Sequence, residues 1–410
     1  MESAAGTLFV IVAIAFVSPL LARMPRRLRI APLVFEILLG ILVGPAVLDI
    51  VKITSPIEAL ANLGLATLMF QAGFEIDSDR TRGRPIKLAF GGWCISLALG
   101  FAAGIVLTRT DVIETDLYVG LALTTTALGT LLPIVRDTGL LPTKLGTHIL
   151  AVGSVGEFAP IVGMAFLLSA TSRSESAFAL SIFGAIIIVG ATFATKTVPQ
   201  KVRDALTATL RSSGQLYVRL ALLLIVGLAF VADALGLDFL LGAFAAGMLF
   251  RIGLQNAAPP EELDVIESKV EAVTFGFLIP IFFVVTGIKY DLEALTTSPT
   301  ALAKLPMFLA LFLLVRAVPI LLYRKDLPSR AHRRALAFLS GVQLPLVVAI
   351  TTIGINTGQM RSSTAAAMVG AGMITVVIFP AVALGILGRA GELPEPLPSL
   401  REEEQAADEA

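Results

Sequence analysis

The sequence predicts an all-α polytopic membrane protein with thirteen transmembrane helices. Three observations carry that reading: an apolar composition, recurring apolar runs of span length, and basic residues that alternate between those runs. Of 410 residues, 56% are hydrophobic and 15% charged, whereas a soluble chain carries about a quarter charged residues. The mean hydropathy is +0.87. Apolar runs of roughly 17–25 residues are what a helix needs to cross ~30 Å of hydrocarbon. A formal net charge of zero argues against a nucleic-acid partner. The lone Cys94 lies in an apolar run and the only histidines are His148 and His332, so neither a disulfide framework nor a Cys/His metal site is expected.

The first span, about 7–21, follows no basic n-region and no small-residue cleavage site, so Thr7–Leu21 is expected to be a retained helix. The next are about 31–50, 57–75, 86–108, 117–136, 146–170, 176–195 and 215–232. The last five are about 237–252, 270–288, 300–323, 334–356 and 363–388. The stretch from Asn256 to Val270 reads either as an amphipathic helix along the cytoplasmic face or as a charged linker between halves. Residues 1–390 are therefore expected to form one transmembrane domain. The closing GELPEPLPSLREEEQAADEA makes 391–410 a disordered acidic cytoplasmic tail.

Basic residues orient the bundle. Counted over alternate loops, 24 of the 31 Lys and Arg fall on one side and six on the other, with Arg316 inside a span. Cytoplasmic loops carry the excess, so the N-terminus is expected outside and the C-terminus in the cytoplasm of a plasma (cytoplasmic) membrane.

There is also an internal echo. LMFQAGFEID (Leu68–Asp77) resembles FFVVTGIKYD (Phe282–Asp291), and LLGILVGP (Leu38–Pro45) resembles LLGAFAAGMLF (Leu240–Phe250). Under the topology above, the members of a pair run in opposite directions. Inverted repeats, at about 31–170 and 237–388, produce such pairs in secondary transporters; Gly-rich helix contacts alone also generate them.

Few polar groups lie deep in the spans. Glu157, in AVGSVGEFAPIVGM, is roughly twelve residues from either end of its run, too deep to snorkel, and a carboxylate there costs at least ~2.5–3.5 kcal/mol unless it meets water or a partner. It reads as an ion-accessible group, or else as a protonated carboxyl tying helices together. Glu36 is only about five residues into its run, where snorkelling or the helix N-terminal preference for acids accounts for it. Asp137 lies at a span end. Arg316 in LFLLVRAVPILLY pairs with Glu157, supplies fixed positive charge to balance it, or snorkels. Two spans look discontinuous: Thr124, Thr125 and Thr126 precede Gly129 and Pro133, and Gly341 and Gln343 precede Pro345. Proline removes an amide donor, and freed backbone oxygens at depth face protein or water, where they suit an alkali cation. No nucleotide loop, catalytic triad or metal-ligand spacing appears, and no histidine lies deep in a span. Enzyme chemistry and a bound cofactor are therefore not expected.

Six segments, in order, resemble monovalent cation:proton antiporters of the second large subfamily. They are RIAPLVFEILLGILVGP, LGLATLMFQAGFEID, TTTALGTLLPIVRDTGLLPTKLG, LDFLLGAFAAGMLF, IPIFFVVTGIKYDL and LFLLVRAVPILL, and the likeness runs from about Pro25 to Gly388. The resemblance implies an inverted-repeat antiporter fold with two crossed broken helices, a core domain and a dimerisation domain. It also implies a homodimer, elevator-like alternating access, and sodium/proton or potassium/proton exchange serving pH homeostasis. Family members carry an acidic pair, or Asn or Gln followed by Asp, in the sixth span; here Glu157 matches the second, ion-binding acid and Gly156 stands in the first place. Arg316 matches a basic residue that in relatives pairs with that first member. Thr125 and Thr126 match the unwound crossing helix, and Gln343 stands where many relatives are acidic.

The expected function is exchange of Na+ or K+ for H+ at Glu157, which as the monovalent-cation ligand binds one or the other. With one carboxylate, the loaded states carry equal charge and exchange is 1:1 and electroneutral. Burial raises the pKa of such a group and a nearby Arg316 lowers it. Two alternatives remain: a cation-coupled organic-anion symporter, and a non-transporting sensor on the same scaffold.

Overall fold

The computed structural model describes residues 4–23, 31–74, 83–167, 173–195, 208–210, 212–258, 260–296 and 299–394, without the side chains at 23, 133, 136, 137, 165–167, 173–177, 257, 260 and 261. Among them there is helix and turn but no strand. The acidic tail from 395, the basic loops 24–30, 75–82 and 196–207, Asp77 of the internal echo, and the side chains of Pro133 and Asp137 lie outside the described residues.

The helices in chain order are α1 (Ala4–Arg23), α2 (Pro32–Val43), α3 (Ser55–Phe74), α4 (Arg84–Arg109), α5 (Asp116–Ala122), α6 (Leu128–Asp137), α7 (Lys144–Leu167), α8 (Arg173–Ala194) and α9 (Leu216–Ala234). They continue with α10 (Phe239–Ala257), α11 (Pro260–Val273), α12 (Ile279–Ile288), α13 (Leu292–Thr296), α14 (Pro299–Ala317), α15 (Arg330–Ser340), α16 (Pro345–Asn356) and α17 (Ser362–Arg389). A π-helical turn, Thr274–Leu278, joins α11 to α12. Pro280 follows it, and proline has no N–H to close a normal turn onto Gly276. The charged segment expected as an amphipathic surface helix or a linker is thus helical, and it runs on without a break into the apolar stretch that ends at Ile288.

Ten helical stretches among the described residues are long and apolar enough to cross a membrane. The three expected spans outside that set are short or interrupted. The one at 31–50 forms only the 12 residues of α2, about 18 Å at 1.5 Å per residue. It closes where the Gly44 N–H turns back to Gly40, just before Pro45. The one at 117–136 is split into α5 and α6, and in α8 the apolar part is Phe178–Ala194.

Two sets of helices pack within themselves. In one, α3 lies on α10, α10 on α9, and α2 on α12. Glycines set the spacing: a Cβ on Gly40 would stand 2.4 Å from the Val284 carbonyl oxygen, and one on Gly287 2.2 Å from that of Ile37. The same holds between α3 and α10, where Gly73 and Gly247 would meet the Phe244 and Phe70 oxygens at 2.1 and 2.0 Å. Without side chains the backbones touch, as small residues allow in membranes. In the other set, α4 packs on α5 and α7, and α17 on α14 and α15. The apolar window of α7 is 83% buried, against 22% for α1 and for α9. So α7 is central, while α1 and α9 turn Phe9, Phe16, Leu223 and Phe230 outward. At one end of the second set, Arg84 grips Asp326 through Nε and Nη2 at 2.7 and 3.0 Å.

Candidate ion-binding site

The break between α5 and α6 is written into three adjacent threonines. Their hydroxyls compete for backbone carbonyls and weaken the helix. Thr124 Oγ1 donates to Leu121 at 2.7 Å, and Thr125 Oγ1 lies 2.9 Å from the Ala122 carbonyl. Beyond them the amides leave the helical ladder. The Thr126 N–H donates to the Gly156 carbonyl at 2.9 Å and the Ala127 N–H to the Val342 carbonyl at 2.8 Å. The Leu128 N–H donates to Glu157 Oε2 at 3.1 Å. Since Leu128 opens α6, the Glu157 carboxylate sits at the positive end of that half-helix and satisfies one of its free donors.

The second break, between α15 and α16, holds Gly341 and Gln343 ahead of Pro345, which suits the first position of a helix. Gln343 is completely buried. Its backbone N–H donates to Thr375 Oγ1 at 3.0 Å and its Nε2 to the Leu123 carbonyl at 3.4 Å, while Oε1 lies 3.2 Å from Thr125 Oγ1. The two breaks therefore hold each other, by main chain at Ala127–Val342 and by side chain at Thr125–Gln343.

Arg316 is 4% exposed and does not snorkel. Its Nη2 donates to Thr126 Oγ1 at 2.8 Å, Nη1 to Ser96 Oγ at 3.2 Å, and Nε to the Ser340 carbonyl at 3.3 Å. All three of these partners are neutral oxygens. Gly156 explains how it fits. A Cβ there would lie 2.6 Å from Thr126 Oγ1 and 2.9 Å from Arg316 Nη2. The hydroxyl and guanidinium occupy the space that a side chain at 156 would take.

Glu157 lines a cavity of about 410 Å³ that also reaches Ala31 and Pro32 at the start of α2. Thr130 of α6, Gln71 of α3 and Glu36 of α2 share its wall. Glu36 corrects the sequence reading: it is 4% exposed and faces this cavity, so it does not snorkel. Gln71 was not singled out from sequence. Its signal was a lone amide in the apolar run LMFQAGF, one turn from Leu68 on the same cavity wall. The arrangement offers a small cation or proton an acidic terminus in Glu157, neutral oxygens nearby, and a fixed positive charge behind it.

A family model described as "Sodium/hydrogen exchanger, transmembrane" matches residues 12–384. The chain is 27% identical over 399 residues to the putative Na(+)/H(+) antiporter YjbQ of Bacillus subtilis, covering 92% of this chain and 62% of that one. It is 27% identical over 269 residues to the Na(+)/H(+)-K(+) antiporter GerN of Bacillus cereus, covering 63% and 65%. With Cation/H(+) antiporter 18 of Arabidopsis thaliana the identity is 29%, over 70% of this chain and 37% of the relative. The chain thus spans less than two thirds of the length of each. Among solved structures, the sodium proton antiporter MjNhaP1 from Methanocaldococcus jannaschii shares the fold, with a TM-score of 0.64 at 18% identity over 95% of this chain and 97% of that one.

Proposed function

Since the chain belongs to the sodium/hydrogen exchanger transmembrane family, we propose that it is a secondary transporter exchanging Na+ or K+ for H+, with Glu157 as the group loaded by either ion. The observation that carries this is the placement of Glu157: buried in mid-helix, held at the start of α6, and reached by a cavity. A carboxylate at such depth is retained where it faces an ion path or a partner. Thr125, Thr126 and Gln343 supply oxygens around the two breaks, and Arg316, bonded to Thr126, offsets the negative charge.

Glu157 neutralised by a proton and Glu157 neutralised by a cation carry the same charge. A cycle that passes through those two states, and never through the empty one, moves no net charge and exchanges 1:1. Ala31 and Pro32 on the cavity wall follow directly in sequence on the basic segment 24–30, which the positive-inside rule assigns to the cytoplasmic side. The conformation is accordingly inward-facing, in a plasma membrane with the N-terminus outside. Thirteen passes, inverted repeats at about 31–170 and 237–388, a homodimer and an elevator-like movement of α4–α7 and α14–α17 complete the proposal. The contacts of α2 with α12 and of α3 with α10 support the repeats, because each joins one echo segment to a member of the opposite pair.

Proteoliposomes with an imposed pH gradient test it. Wild-type protein is expected to exchange Na+ or K+ for H+ without building a membrane potential, and Glu157→Gln to abolish exchange while the protein stays folded. Wild-type exchange in Glu157→Gln would remove the assignment, and a growing potential would remove the 1:1 stoichiometry.

A further inference from the structure

Glu36 and Gln71 are buried polar groups that the fold does not use. Glu36 is 4% and Gln71 1% exposed, and both line the cavity that Glu157 also lines. Among the described residues, Glu36 makes no hydrogen bond or ion pair. Neither the amide oxygen nor the amide nitrogen of Gln71 has a hydrogen-bond partner there. Buried amides and carboxylates are costly unless paired, so two such groups in one cavity call for a partner that enters through it. A cavity of about 410 Å³ admits a partly hydrated small ion. Carboxylate and amide oxygens are hard ligands that suit an alkali cation and replace part of its water.

We propose that Glu36, with Gln71 also lining the cavity, is an entry station that captures the transported monovalent cation before it reaches Glu157. The inference rests on Glu157 being the exchange site and adds a second position to the path. Glu36 lies one turn from Pro32, which also lines the cavity and follows the basic segment 24–30 in sequence. It stands on α2, which is fixed backbone-to-backbone to α12 at Gly40. A station on that helix loads and unloads on one side and does not cross the membrane. It changes how much cation is needed, not how many charges move per cycle.

Exchange is measured in inside-out and right-side-out vesicles over a range of Na+ and K+ concentrations, for wild type, Glu36→Gln, Glu36→Asp and Gln71→Leu. Losing a binding step without touching the exchange site raises the half-saturating concentration and spares the maximal rate. Glu36→Gln is expected to raise it about tenfold and Gln71→Leu about threefold, with maximal rate within about twofold. Glu36→Asp is expected to recover most of the loss. The effect belongs to cation added on the cytoplasmic side alone. An unchanged half-saturating concentration in Glu36→Gln, an equal change on both sides, or a fall in maximal rate alone would overturn the entry station and leave Glu157 untouched. Wild-type vesicles that exchange neither ion would overturn both readings. If Glu36→Gln does not accumulate in the membrane, Gln71→Leu decides, and an unchanged value there rejects the proposal.

Discussion

The backbone amide of Ala127 donates to the carbonyl of Val342 at 2.8 Å, joining the interruption of one membrane helix to that of another. The bond replaces two helical partners at once. Ala127→Pro removes the donor and leaves the Val342 carbonyl buried without it. The cost of such an orphan is about 1–3 kcal/mol. A lower thermal unfolding midpoint in detergent is expected, together with loss of exchange; an unchanged midpoint would show that the crossing is held elsewhere.

Gly156 leaves room for Thr126 and Arg316. Gly156→Ala places a Cβ 2.6 Å from Thr126 Oγ1 and 2.8 Å from its Cβ. Overpacking of this kind costs about 1–3 kcal/mol. Thr126→Gly vacates the same space, so the double variant is expected to lose less than the sum of the two single variants. Strict additivity in that cycle would deny the clash.

The three bonds of Arg316 need a planar fork with several donors. Arg316→Lys keeps the charge but not that geometry, and is expected to fold with reduced exchange. Arg316→Ala also takes the guanidinium donor from the Ser96 and Thr126 hydroxyls and leaves the Ser340 carbonyl to Thr126 Oγ1 alone, at about 1.5–3 kcal/mol for each lost charged bond. Unfolding midpoints in the order wild type, Lys, Ala check this; equal midpoints would leave the guanidinium without a structural part.

Arg84 holds the Asp326 carboxyl below the usual carboxylate range, by hydrogen bonding first and by charge as well. A lowered folded pKa gives stability that is present above the unfolded value and lost as pH falls through the folded one. The midpoint difference between wild type and Asp326→Asn is therefore expected to be constant at neutral pH and to shrink below the ordinary value of 3.8. Arg84 faces solvent, so high salt is expected to shrink it too. A difference that grows on acidification would contradict the pairing.

Much of this architecture is legible in the chain because a membrane imposes length and polarity rules. The runs around Ile225 and Val376 are apolar from end to end and become α9 and α17. The breaks at Thr124–Thr126 and Gln343 were readable too, since hydroxyls, glycine and proline have known local preferences. Pairing across the bundle was not. Arg316 lies 190 residues from Thr126 and 220 from Ser96, and periodicity carries no information on such contacts. Glu36 was misjudged for a related reason. Distance from a helix end measures depth, whereas its surroundings depend on which neighbour its face meets, and that face meets a cavity instead of headgroups.

Gly40 with Gly287, and Gly73 with Gly247, do more than bring helices close. Where carbonyl oxygens occupy the places of missing methyl groups, there is no lubricating layer of side chains for one backbone to slide over another. Under the elevator-like movement proposed above, the four helices α2, α3, α10 and α12 are the stator, and a stroke that carries Glu157 past them shears along the cavity wall, between Glu36 and Gln71 on the stationary side and α6 and α7 on the travelling one.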